Sequence, residues 1–162
     1  MAEQPETKLD ILVIEDTEKH QENARDQFKD HNLTLAKNYE EGKRFLETTS
    51  YQVLLTDLMM PKGGRDMMGS EGIKYIFDLL PFGFPLAFLA AKMKVLYIGV
   101  VTDVNHHDHP ISAAIDPISG ADWQDSDSCL YKVNDSKLGI FHAPFTEDGR
   151  KDWQIVLEVL LK

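Results

Sequence analysis

The chain contains one cysteine, Cys129, so no internal disulfide framework can form. A lone thiol fits a reducing compartment. Basic residues are scarce: 17 Lys and Arg stand against 27 Asp and Glu, a formal charge of −10 over 162 residues. No run of Lys and Arg occurs, and so acidic a surface repels phosphate backbones, which argues against nucleic-acid binding. Long apolar runs are missing as well. The most apolar stretch, Phe82 to Val101, is interrupted by Gly83, Pro85, Lys92 and Lys94, short of the roughly 18 apolar residues a membrane helix needs. Residues 1–8 lack the basic start and apolar run of a signal peptide and read as a tail. These absences give the expectation of a cytoplasmic protein that contacts neither membrane nor nucleic acid. No repeat or low-complexity segment is present, and the 43% of hydrophobic residues suffices for one domain over residues 9–162.

What is there begins with Leu9-Asp10-Ile11-Leu12-Val13-Ile14, a β-branched run that stops abruptly at Glu15-Asp16. Such a run reads as a strand buried on both faces of a parallel sheet. Thr17 to Lys29 is polar apart from Ala24 and Phe28 and reads as a solvent-facing helix. Leu33 to Ala36 is a second strand. Asn38 precedes Glu41 by a capping-box spacing and opens a helix that turns Tyr39, Gly42, Phe45 and Leu46 inward. Tyr51 to Thr56 is a third strand with Asp57 at its end, and the βαβαβ rhythm implies right-handed crossovers.

Beyond Pro61 the pattern loosens. Ser70 caps an expected helix with Ile73, Ile76, Phe77 and Leu80 buried, and Pro85 opens another through Met93. Val95 to Val101 is a fourth strand, followed by a stretch without clear period to Ser128, with one short helix near Ser112 to Ile115. Leu130–Val133 and Lys137–His142 flank Asn134-Asp135-Ser136 as a β-hairpin that either extends the sheet or folds over its end. Trp153, Val156, Leu157, Leu160 and Leu161 form the stripe of a closing amphipathic helix.

In an open α/β sheet, ligands bind outside the carboxyl ends of the strands. Glu15 and Asp16 follow strand one, Asp57 follows strand three, and Thr102 and Asp103 follow strand four. An Asp at a strand end also serves simply as a turn former. If strands one and three are neighbours, however, three carboxylates converge, and like charges so placed call for a counter-charge. A Mg²⁺ ion with oxygen ligands is the natural remedy. An ionised Asp57 is then a candidate nucleophile toward phosphorus, with Thr102 donating its hydroxyl to a phosphate oxygen. Lys62, near Asp57 in sequence, is a candidate auxiliary cation. Asn105-His106-His107-Asp108-His109 invites a zinc or nickel reading through His106 with Asp108, or His107 with His109. Adjacent residues seldom converge on one ion, so a polar loop at the crevice mouth is the competing reading.

Four stretches resemble response-regulator receiver domains of two-component signalling. Ile11 to Asp16 resembles their first strand and acidic pair, and Leu54-Leu55-Thr56-Asp57-Leu58-Met59-Met60-Pro61 their phosphoacceptor strand with its following proline. Val100-Val101-Thr102 resembles their switch threonine, and His142-Ala143-Pro144-Phe145 the Lys-Pro-Phe turn after their fifth strand. The resemblance implies a flavodoxin-like, doubly wound (βα)₅ α/β sandwich with parallel sheet order 2-1-3-4-5. The connections over 61–95 and 103–137 are longer than is usual in that family. It further implies phosphorylation of Asp57 by a histidine kinase or phosphotransfer protein, and Mg²⁺ held by Glu15 or Asp16, Asp57 and the Met59 backbone carbonyl. Thr102 would move inward on phosphorylation, and the state would be passed on by protein contacts, without turnover of a substrate. The family's lysine is Ala143 here, so one positive charge is missing from the expected site, and His142 faces the opposite side of its strand. That loss keeps two other classes open: a phosphorylation-independent binding module and a small metal-dependent phosphohydrolase.

Overall fold

The structure is a computed structural model and describes residues 7–64, 78–104, 109–119 and 129–162. Most of the helix expected after Ser70 lies outside the described residues, as do His106, His107 and Asp108; Leu80, expected on its buried face, is instead half-buried and pairs antiparallel with Met60.

The apolar runs form the strands β1 (Asp10–Ile14), β2 (Asn32–Ala36), β3 (Val53–Thr56) and β4 (Tyr97–Thr102). The predicted hairpin supplies β5 (Leu130–Val133) and β6 (Ser136–His142). They join in one sheet of order β2-β1-β3-β4-β6-β5. From β2 to β6 the pairings are all parallel, which is the expected order, with β6 in the place of the fifth strand. The hairpin extends the sheet: β5 runs antiparallel along β6 and forms the far edge.

Alternation of side chains divides the core in two. Leu12, Ile14, Leu54, Ile98, Val100, Leu138 and Ile140 face α2 (Tyr39–Thr48) and α3 (Gly83–Lys92). Ile11, Val13, Val53, Leu55, Val101 and Phe141 face α1 (Glu18–Gln27) and α5 (Trp153–Leu161). Both faces are covered, which is why β1 and β3 read as unbroken apolar runs. α2 begins at the expected cap, the Glu41 amide donating to Asn38 Oδ1 at 2.9 Å while the Lys37 amide donates to Glu41 Oε2 at 3.0 Å. α5 buries Trp153, Val156, Leu157 and Leu160 as the stripe predicts, whereas Leu161, in its last turn, is exposed.

Two elements differ from expectation. α1 is not simply solvent-facing, because it buries the polar His20 and Asn23 beside Ala24. α4 (Pro110–Ile115), continuing into a 3₁₀ turn at Asp116–Ile118, begins earlier than the expected short helix because Pro110 follows a capping residue, His109.

Candidate functional site

Register sets the site. Ile14 pairs with both Ala36 and Thr56, and Thr56 pairs with Val100, so β1 and β3 end level with each other. The Asp57 amide donates to the Ile14 carbonyl at 2.8 Å, which places Glu15 and Asp57 side by side at the carboxyl edge. β4 runs further, to Thr102, and Asp103 follows it. Ligand atoms from Glu15, Asp16 and Asp57 all lie within 4.8 Å of one another.

The cation of this cluster is Lys151. Its side chain is completely buried, with Nζ 2.6 Å from Glu15 Oε2, 3.2 Å from Asp57 Oδ2 and 3.9 Å from Asp103 Oδ1. The ammonium also lies 3.4 Å from the Val101 carbonyl. The charge missing at Ala143 is therefore supplied from further along the chain. After β6 the backbone makes an excursion, closed by a turn in which the Gly149 amide donates to the Thr146 carbonyl at 2.9 Å and Gly149 has φ +78°. The returning limb pairs Lys151 antiparallel with Phe145 and carries the lysine back over the strand ends.

The second oxygens of Glu15 and Asp57 are held by backbone. The Thr17 amide donates to Glu15 Oε1 at 3.0 Å and the Leu58 amide to Asp57 Oδ1 at 2.7 Å. Burial pushes the Asp57 carboxyl well above the usual carboxylate range, and Glu15 and Asp103 push it further, against the pull of Lys151. Asp16 is raised to about 6, chiefly by burial and then by Glu15. Burial works against the charge on Lys151, but Asp57, Glu15 and Asp103 outweigh it and raise its pKa. One ammonium among Glu15, Asp16, Asp57 and Asp103 leaves the pocket short of positive charge. Three carboxylates spaced for one small ion, with an uncompensated negative charge, fit Mg²⁺.

Other expected residues are placed as follows. Thr102 is buried, and its Oγ1 accepts from the Val104 amide at 3.2 Å, which leaves the hydroxyl proton to donate. Met59 is buried just beyond Asp57. Lys62 is directed away from the crevice: its Nζ sits 2.8 Å from Glu40 Oε1, because the chain after Pro61 runs against the start of α2. His109 caps α4, its Nδ1 accepting from the Ile111 amide at 3.2 Å. His20 Nε2 lies 3.7 Å from Asp103 Oδ2. Asp103 stands at the end of strand four as expected, whereas Lys151 and His20 are participants to which sequence reasoning assigns no role. The one signal for Lys151 is the turn-forming Glu147-Asp148-Gly149 between Phe145 and Lys151, which reverses the chain toward the strand ends.

With this geometry in hand, comparison with solved structures is decisive for the fold. The receiver domain of the Francisella response regulator 1452 superimposes with a TM-score of 0.51 at 16% identity, over 95% of both chains. The chain has the receiver-domain fold. The signal receiver domain of an HD domain-containing protein from Pseudomonas fluorescens Pf-5 gives a TM-score of 0.53 at 11% identity, over 96% of this chain and 93% of that one. RcsB from Salmonella enterica serovar Typhimurium, bound to promoter rprA in the presence of phosphomimetic BeF₃⁻, gives 0.53 at 17% identity, over 96% of this chain and all of that one. No family model and no curated protein sequence matches the chain. In this chain the edge at which β1 and β3 end together carries the acidic cluster and its ammonium.

Proposed function

We propose that the chain is a phosphoacceptor signalling domain of two-component type, in which Asp57 accepts a phosphoryl group from a phosphohistidine of a histidine kinase or phosphotransfer protein. The observation that carries this reading is the buried Lys151 ammonium 3.2 Å from Asp57 Oδ2, in a receiver fold whose motif lysine is replaced by Ala143. An Asp57 oxygen attacks phosphorus, the P–N bond to the donor imidazole breaks, and its electron pair stays on the departing ring nitrogen. Charge on the equatorial oxygens grows in this step. Lys151 already faces the Asp57 oxygen that would carry the phosphorus, so its charge is in place before reaction. Thr102 donates its hydroxyl to one of them. Glu15, Asp16 and Asp57, with the Met59 carbonyl, would hold Mg²⁺, which would supply charge neutralisation that favours the ionised form of Asp57. The group so transferred stays on the protein, so this is a switch rather than a turnover enzyme.

The reading in which the domain binds partners without phosphorylation draws on the absent lysine charge, and Lys151 supplies that charge. Repulsion by the overall −10 charge argues for a protein rather than a nucleic acid as the output partner. Among the described residues no helix is long and apolar enough to cross a membrane. We place the domain in the cytoplasm with its phosphodonor.

The test is intact-protein mass after incubation with acetyl phosphate and Mg²⁺. One added phosphoryl group in the wild type, absent from Asp57→Asn, is the expected result. An unmodified wild type that still binds Mg²⁺ would overturn it.

A further inference from the structure

Lys151 reaches the site on the return limb of an excursion, not directly from a strand, so something besides the sheet must fix where its Cα sits. The local pairing shows what does not. The Thr146 amide donates to the Arg150 carbonyl and the Asp152 amide to the Pro144 carbonyl, each at 2.8 Å. Phe145 and Lys151 are thus a non-hydrogen-bonded pair, and the N–H and C=O of Lys151 point away from the other limb. Both groups are taken by α1. The Lys151 amide donates to His20 Nδ1 at 3.0 Å, and Asn23 Nδ2 donates to the Lys151 carbonyl at 2.7 Å. His20 and Asn23 stand one helical turn apart and are 1% and 3% exposed.

The same helix face continues the grip. The Trp153 indole N–H donates to the His20 carbonyl at 2.9 Å, and the Gln154 amide donates to Gln27 Oε1 at 3.0 Å. The Trp153 ring in turn lies 5.4 Å from Lys151 Nζ. Because His20 Nδ1 accepts, Nε2 carries the ring proton and is the atom that faces Asp103.

We propose that His20 and Asn23 are positioning residues of the phosphoacceptor site, holding both backbone polar groups of Lys151 so that its ammonium is fixed between Glu15 and Asp57. A lysine loses the rotamer freedom of a long flexible stem when its ammonium is held in one place. Anchoring its backbone on both sides leaves only the side-chain torsions to be fixed by the carboxylates. In a chain without the motif lysine, a polar face on α1 does what direct attachment to the fifth parallel strand would do. The consequence for rate rests on the phosphoacceptor reading; the consequence for the ammonium does not.

The test therefore has two readouts. The first is the ¹H–¹⁵N signal of the Lys151 ammonium, assigned by its disappearance in Lys151→Arg and recorded without phosphodonor. The second is the rate of Asp57 phosphorylation by acetyl phosphate with Mg²⁺. His20→Leu and Asn23→Leu are expected to lose the exchange-protected ammonium signal and to react about tenfold more slowly, the effect of one lost hydrogen bond. His20→Asn, which keeps an acceptor where Nδ1 stands, is expected to recover the signal and most of the rate. Ala24→Gly, in the core on the same helix, is expected to lower stability and leave both readouts unchanged. If His20→Leu does not fold, Asn23→Asp turns a donor into an acceptor facing the Lys151 carbonyl and carries the same expectation. Retention of signal and rate in the Leu variants, or equal losses in Ala24→Gly, overturns the proposal. A wild type that shows the protected ammonium but no phosphorylation overturns the phosphoacceptor reading while the clamp stands.

Discussion

Lys151 offsets carboxylates that the fold cannot move apart, and its removal leaves them buried without a partner. Lys151→Met is expected to cost about 3–5 kcal/mol at neutral pH in chelator, the range for breaking one side of a buried ion pair. Denaturant unfolding measures it, and the loss should shrink in acid as the carboxyls take up protons. Asp16 gives a pH signature. Its carboxyl titrates at about 6 in the folded chain against 3.8 ordinarily, so between those values the folded state keeps a proton that the unfolded chain has released. This group's contribution to stability therefore falls as pH rises through that window. Mg²⁺ competes for the same oxygens, so its affinity should climb as pH rises through 6, with proton release on binding. Calorimetry in buffers of different ionisation heat reads the released protons, and Asp16→Asn should flatten the profile. Gly83 is a third residue-scale point. A Cβ there would sit 2.4 Å from the Asp57 carbonyl oxygen and 2.7 Å from Leu58 Cα, both backbone atoms. Gly83→Ala must push α3 off the acceptor loop and is expected to destabilise by about 1–3 kcal/mol in denaturant melts.

Among the elements, the excursion between β6 and α5 decides whether the ammonium arrives. Its turn needs Gly149 at φ +78°, and a Cβ at that position would have nothing within 4 Å, so a substitution there meets strain but no clash. Gly149→Ala is expected to cost about 1 kcal/mol of stability by thermal melting. A slowing of Asp57 phosphorylation larger than that loss explains would show that the turn sets the position of Lys151. Most elements are legible in the sequence because their signals are local. Asn38 and Glu41 mark the start of α2, Trp153 to Leu160 repeat at helical spacing, and β-branched runs mark β1 and β3. α1 reads as solvent-facing because its inward residues are polar. His20 and Asn23 are buried to satisfy backbone groups of Lys151, a partner more than a hundred residues away that no periodicity reveals.

At the scale of the molecule, strand order brings the acidic pair beside Asp57, and that much follows from βαβ handedness and the strand-end rule. The cation is not legible, because the motif position holds Ala143 and its replacement lies beyond a reversal in the chain. The edge strand β5 carries no signal to choose between extending the sheet and covering the site; pairing with β6 decides it. The central claim is that Lys151 completes a phosphoacceptor site at Asp57. Its most direct test is the rate of mass gain with acetyl phosphate and Mg²⁺ in wild type, Asp57→Asn and Lys151→Met. The account predicts one phosphoryl group in the wild type, none in Asp57→Asn, and a rate about 100-fold lower in Lys151→Met, the scale of losing one preorganised electrostatic group. Wild-type speed in Lys151→Met, or a phosphoryl group that persists in Asp57→Asn, would contradict it.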